Sequence, residues 1–147
     1  MGSLDGAEIC ELVGLYLLSQ LQHLGIEIGA YRDDFLAACK FSPQKTEKIK
    51  KEICTIFEKN GLKITIAANL KIVDFLDVTF DLNMGTYKPY SKPNDQHLYV
   101  NTKSNHPPNI PKNIPEAVNE RLSNISSNEE VCKTAAKDYQ ESLNDAG

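Results

Sequence analysis

The chain has 147 residues, enough for one domain with a buried core. Its 41% hydrophobic and 24% charged residues are ordinary globular values. The formal charge of −4 supplies no whole-chain attraction to nucleic acid or anionic membrane, which argues against a freestanding, dedicated nucleic-acid binder.

Asp5 is placed to cap a helix over 7–24. In that helix Ile9, Leu12, Val13, Tyr16, Leu17, Leu21 and Leu24 recur at three- and four-residue steps. Leu15 and Leu18 widen the stripe, so the spacing predicts that most of this helix is buried. Gly25 is its natural stop. No basic leader precedes the apolar run, which is shorter than the ~20 residues of a membrane span and is interrupted by Glu11. Met1-Gly2-Ser3 begins like a myristoylation signal, but Gly6 stands where Ser or Thr is required.

Residues 25–41 read as a tight hairpin with Tyr31-Arg32-Asp33-Asp34 at its tip. Ile26, Ile28 and Ala30 precede the tip, and an apolar run from Phe35 to Cys39 follows it. Neighbouring carboxylates repel unless a cation or solvent compensates them. A divalent-metal site uses such a pair, because Mg²⁺ is a hard cation held by one or two carboxylates together with substrate phosphates. A polar turn explains the pair as well, since Asp favours turns. Cys39 stands close to the pair and reads as a small buried hydrophobe.

Ser42 as N-cap and Pro43 at the first helical position open a second helix. Ile49, Ile53, Ile56 and Phe57 share one face, and Asn60-Gly61 ends it. Lys45, Lys48, Lys50 and Lys51 either contact phosphate or form a solvated face supported by a Glu47–Lys51 pair. Leu62 to Ile66 alternates with period two and predicts a strand. Ile72 to Leu82 is one β-rich run, Asn83-Met84-Gly85 supplies a turn, and Thr86-Tyr87 begins a return strand. Helix, hairpin, helix, strands is an α+β order.

Beyond Lys88 the character changes. Six prolines fall between Pro89 and Pro115, and Gln96 to Thr102 reads as one short strand. Four lysines stand against one acid from Asn83 to Pro115, with Tyr87, Tyr90, His97, Tyr99 and His106 interleaved. This section either stacks on bases and tracks a backbone or forms a packed hairpin with snorkelling lysines. The two histidines have no partners at fixed spacing and read as loop residues. A helix starts at Pro115 and carries Val118 and Leu122. Ser127-Asn128-Glu129-Glu130 is a capping box for a last helix, striped by Val131, Ala135, Tyr139 and Leu143. Cys10, Cys39, Cys54 and Cys132 have no metal-site spacing and read as free thiols packed as small hydrophobes. They point to a reducing compartment, cytoplasm or nucleus, and not to secretion. The sequon Asn124-Ile125-Ser126 carries no weight without a secretory context.

The aromatic-x-Asp-Asp hairpin, followed by an amphipathic helix and a strand, resembles the palm of reverse transcriptases. Tyr31-Arg32-Asp33-Asp34 is similar to the family's Y-x-D-D element, and Lys48 to Gly61 with Leu62-Lys63-Ile64 is similar to the helix and strand that follow it. Phe75-Leu76-Asp77-Val78 through Tyr87-Lys88-Pro89-Tyr90 resembles the region joining palm to thumb. With Ser104-Asn105-His106-Pro107-Pro108, this stretch is similar to polymerase-like reading frames of animal retroelements.

The resemblance implies a partial palm over 1–88, a Pro-rich basic and aromatic connection over 89–114, and a helical, thumb-like segment over 115–147. It assigns Asp33 and Asp34 as catalytic residues binding Mg²⁺. Tyr31 then lies near the primer end, and Lys88, Tyr90 and Lys92 hold a primer–template. The intact family performs Mg²⁺-dependent, RNA-directed DNA synthesis. Its upstream carboxylate, its Gln-Gly element and its nucleotide-binding fingers have no counterpart here, and Asp5 is better explained as a cap. The expectation is therefore a fragment inactive alone, whose partners are a nucleic-acid primer–template and an N-terminal polymerase half. Phe35 replaces a glycine common in related elements, and a bulky residue there crowds the primer terminus. The alternative is a domesticated nucleic-acid-binding or protein-interaction module without catalysis.

Overall fold

The computed structural model describes residues 6–92 and 98–146. Asp5 and His97, with the cap and loop readings made for them, lie outside those residues. The fold is α+β, and the chain divides into two units, Met1–Leu70 and Lys71–Gly147.

In the first unit, helix α1 spans Gly6–Leu21 and a 3-10 turn covers Gln22–Leu24. Gly25 stops it at φ 63°, in the left-handed region that glycine enters without a Cβ clash. The hairpin follows as β1 (Glu27–Tyr31) and β2 (Asp34–Ala38), antiparallel, with Ile28 opposite Ala37 and Tyr31 opposite Asp34. Helix α2 is Pro43–Lys59. Ser42 caps it as expected, its Oγ accepting from the Lys45 N–H at 3.4 Å. Asn60 and Gly61 (φ 72°) end it.

Leu17 and Leu21 of α1 and Ile53 and Phe57 of α2 form the buried cluster. Ile28 and Phe35 of the hairpin pack against it, as do Ile49 and Ile56.

Three expectations fail in this unit. Residues 62–66 form no strand. Their alternation still turns Ile64 and Ile66 onto the core, but without a ladder partner they remain an extended segment. Helix α1 is not mostly buried either. Only Leu17 and Leu21 are, while Ile9, Leu12, Val13, Leu15 and Tyr16 are exposed. Two of the four free thiols, Cys10 and Cys39, are exposed rather than packed.

The second unit holds a three-stranded antiparallel sheet in the order β3 (Ile72–Phe75), β4 (Val78–Asp81), β5 (Thr86–Pro89). The single β-rich run is thus two strands, broken by a two-residue turn at Leu76-Asp77. Residues 98–102 carry no strand. Helix α3 spans Asn109–Asn124 and begins six residues before Pro115. Pro111 sits in its first turn, where a missing N–H costs nothing. Ile110, Ile114, Val118 and Leu122 then recur every fourth residue, and Leu122 is buried. Helix α4 spans Glu129–Ala146. Its cap is Asn128, whose Oδ1 accepts from the Val131 N–H at 3.0 Å, one residue later than the expected Ser127. The Ser127 N–H donates instead to the Tyr87 carbonyl at 2.9 Å and joins the α3–α4 connection to β5. Arg121 of α3 pairs with Asp77 of the β3–β4 turn at 2.7 Å.

Two measurements check this account. Phe57→Ala removes a buried ring and is expected to destabilise the chain by about 3–5 kcal/mol in urea unfolding. A loss under ~1 kcal/mol would place Phe57 outside the core. The second concerns His23, whose Nε2 lies 2.8 Å from Glu52 Oε1 of α2. The hydrogen bond to Glu52 raises the His23 pKa. A raised folded pKa means that the pair's contribution is complete below the unfolded value near ~6.5 and is lost as pH rises through the folded value. Both side chains are more than half exposed, so the effect is small and salt-sensitive. Urea midpoints of the wild-type chain and His23→Gln are expected to differ at pH 5.5 and converge by pH 9; a gap constant with pH refutes the assignment.

Candidate metal and nucleic-acid site

The acidic pair sits where the hairpin reverses. Arg32 and Asp33 are the two central residues of the turn, and Asp34 is the first residue of β2. Arg32 adopts φ 55°, and Asp33 does not share that sign. A positive φ at the first central residue alone is the sign pattern of a type II′ turn, a position that favours glycine. An arginine there is strained, and strained residues gather at functional positions, which makes Arg32 a marker to be explained.

Register decides which way each side chain points. Residues directly opposite on an antiparallel pair share a face, and neighbours along a strand alternate. Ile28, Ala30, Phe35 and Ala37 therefore form the inner face, and Tyr31 and Asp34 lie together on the outer one. The Phe35 ring meets the Phe57 ring edge-on, with centroids 5.8 Å apart and planes at 87°. The bulky residue after the pair is thus turned into the core and away from the face that carries Asp34.

Tyr31, Asp33 and Asp34 are exposed. Arg32 does not neutralise its acidic neighbours: its guanidinium lies over the Tyr31 ring, 5.5 Å from the centroid. Among the described residues neither carboxylate forms an ion pair. Two open carboxylates fit the donor set of Mg²⁺, which is bound through one or two carboxylates and completes its shell with substrate phosphates. Among the described residues no group of three His, Cys, Asp or Glu side chains is placed to hold a metal, so phosphate oxygens or a further carboxylate would have to complete the site.

The other assigned residues belong to the second unit. Lys88 is exposed on β5, Tyr90 is half-buried just beyond it with its N–H on the Asp77 carbonyl at 2.8 Å, and Lys92 is exposed. In the first unit Lys45 Nζ stands 3.6 Å over the Phe41 ring, an anchor for the start of α2 that sequence spacing did not reveal. Glu47 accepts from Asn69 Nδ2 at 3.3 Å and forms no ion pair with Lys51 among the described residues.

The strain at Arg32 is not legible from the residues alone, because an arginine before two aspartates carries no sign of a left-handed backbone. The Leu76-Asp77 turn did carry a signal, a turn-favouring Asp within an otherwise apolar run. No family model matches the chain, and no curated protein or solved structure matches it. No helix among the described residues is long and apolar enough to cross a membrane.

Arg32→Gly is expected to stabilise the chain by about 1 kcal/mol, because glycine enters the left-handed region without strain. The urea midpoint measures it; an unchanged or lower midpoint would show that the stacking of Arg32 on Tyr31 outweighs the strain.

Proposed function

We propose that the chain is a palm segment of a reverse-transcriptase-like polymerase, with Asp33 and Asp34 as its metal-binding carboxylates. One observation carries the reading: Tyr31-Arg32-Asp33-Asp34 occupies the reversal of an antiparallel hairpin that leads into the amphipathic helix α2. Two acids within a helix would have ended it. In this role Asp33 and Asp34 hold Mg²⁺ together with the phosphates of an incoming nucleotide. When bound by Asp33 and Asp34, the metal would supply charge stabilisation for phosphoryl transfer. Tyr31 offers its ring to the primer end on the face it shares with Asp34. Lys88 and Lys92 attract the nucleic-acid backbone, and Tyr90 stacks or packs beside them. None of the acids before Asp33 matches the upstream catalytic carboxylate of the resembled family, so these 147 residues alone are expected to synthesise no DNA.

A second reading, an interaction module without catalysis, is favoured by a different observation, the exposed apolar residues of α1. Fluorescence anisotropy with a labelled primer–template separates the two. The polymerase reading expects binding that weakens with salt and tightens about tenfold in Mg²⁺ with a matching nucleotide. Asp33→Asn and Asp34→Asn should each remove the Mg²⁺-dependent gain, and Lys88→Ala with Lys92→Ala should lower the salt slope by about 2. Binding indifferent to both Mg²⁺ and Asp33→Asn leaves the interaction module.

A further inference from the structure

Helix α1 carries two apolar stripes, and among the described residues of the first unit only one is covered. Leu17 and Leu21 are buried with Ile53 and Phe57. At ~100° per residue, Ile9, Leu12, Val13 and Tyr16 form a second stripe about a quarter-turn away. These four side chains are 55%, 66%, 44% and 58% exposed. The stripe contains no charge; Glu8 and Glu11, both near the N-terminal end, are the only charged residues of α1. A helix of this length draws its stability from packing of its apolar face, and among the described residues of the first unit the N-terminal half of α1 is exposed.

We propose that α1 is a self-association surface that pairs antiparallel with α1 of a second copy. The spacing of the stripe reads the same in both directions. About a two-fold axis between residues 12 and 13, Leu12 meets the partner's Val13 and Ile9 meets the partner's Tyr16, an isologous contact. Charge selects this orientation. Antiparallel pairing sets Glu8 and Glu11 beside the partner's uncharged C-terminal half and opposes the two helix dipoles. Parallel pairing gathers four carboxylates. A lipid surface is the poorer occupant, because interfacial helices carry Lys and Arg on their polar face and α1 has neither. The four side chains expose roughly 400 Å² per copy, about half of the ~800 Å² per partner in a standard interface. The dimer is therefore weak, with Kd roughly 10–100 µM. The proposal does not rest on the polymerase reading, since neither Asp33 nor Asp34 takes part.

Sedimentation equilibrium of the full chain over roughly 5–500 µM is expected to show a reversible monomer–dimer equilibrium. Leu12→Glu and the milder Tyr16→Ser should each weaken it about tenfold or more, with circular dichroism reporting that each variant still folds. Orientation is read by disulfide formation with oxidised glutathione in a chain lacking the exposed thiols (Cys10→Ser, Cys39→Ser). Leu12→Cys lies beside the two-fold axis and cross-links to its own copy. Ile9→Cys stands ~10 Å along the axis from its copy, beyond disulfide reach, and does not. A chain that stays monomeric throughout the range, or that cross-links through Ile9→Cys as readily as through Leu12→Cys, overturns the proposal.

Discussion

The edge-on contact between Phe35 and Phe57 decides what the first unit can present to solvent. A two-stranded hairpin is marginal by itself in water. This one is held because Ile28 and Phe35 of its inner face join the cluster made by α1 and α2. Strand alternation then leaves no freedom. Once Phe35 is turned inward, Asp34 must face outward, and the opposite residue, Tyr31, must stand beside it. The identity of one aromatic residue thus sets the direction of the carboxylate next to it. A one-residue slip of register would bury Asp34 and expose Phe35, and burying an unpaired carboxylate costs far more than the slip could return.

The reversal itself is made under strain. Both two-residue hairpin turns, Arg32-Asp33 in the first unit and Leu76-Asp77 in the second, carry a non-glycine residue at positive φ in the first central position, 55° and 54°. Each is compensated by a contact of the turn. Arg32 lies over Tyr31, and Asp77 holds Arg121. In the second turn the compensating partner is an acid paired to a helix, a structural use of Asp. In the first the two acids are left open, and the cation beside them is occupied with an aromatic face. The same backbone solution therefore serves different ends, and the difference lies in what the aspartates touch.

How much of this was legible in the sequence follows from how local each cause is. The capping of α2 by Ser42, its proline start, its Asn60-Gly61 end and the hairpin tip at 31–34 are fixed by residues within a few positions of one another, and all were readable. Residues 62–66 show the opposite case. Their alternation is real and turns Ile64 and Ile66 inward, yet a strand also needs a neighbour to complete its hydrogen bonds, and periodicity does not report one. For α1, the spacing revealed an apolar helix but not which of its stripes meets α2. The α4 cap is Asn128 and not Ser127, while the Ser127 N–H donates to the Tyr87 carbonyl, a contact between residues 40 positions apart that no local pattern reports. The site divides in the same way: the carboxylates and their turn were local, whereas the inward turn of Phe35 and the strain at Arg32 depended on packing.

Exposure also bears on how the acidic pair is to be understood. Two neighbouring carboxylates buried in a protein would need a cation to exist at all, and their presence would itself indicate one. On an exposed turn water screens their repulsion, and the fold tolerates them with no ion. Fold stability is therefore a poor witness to the role of Asp33 and Asp34. Their neighbourhood is more informative. An arginine one residue away is the nearest available counter-charge, and it lies over Tyr31 without pairing with either acid. What remains is a negative, solvent-facing pair beside an aromatic ring, and it is on that exposed, unpaired charge that the proposed metal role rests.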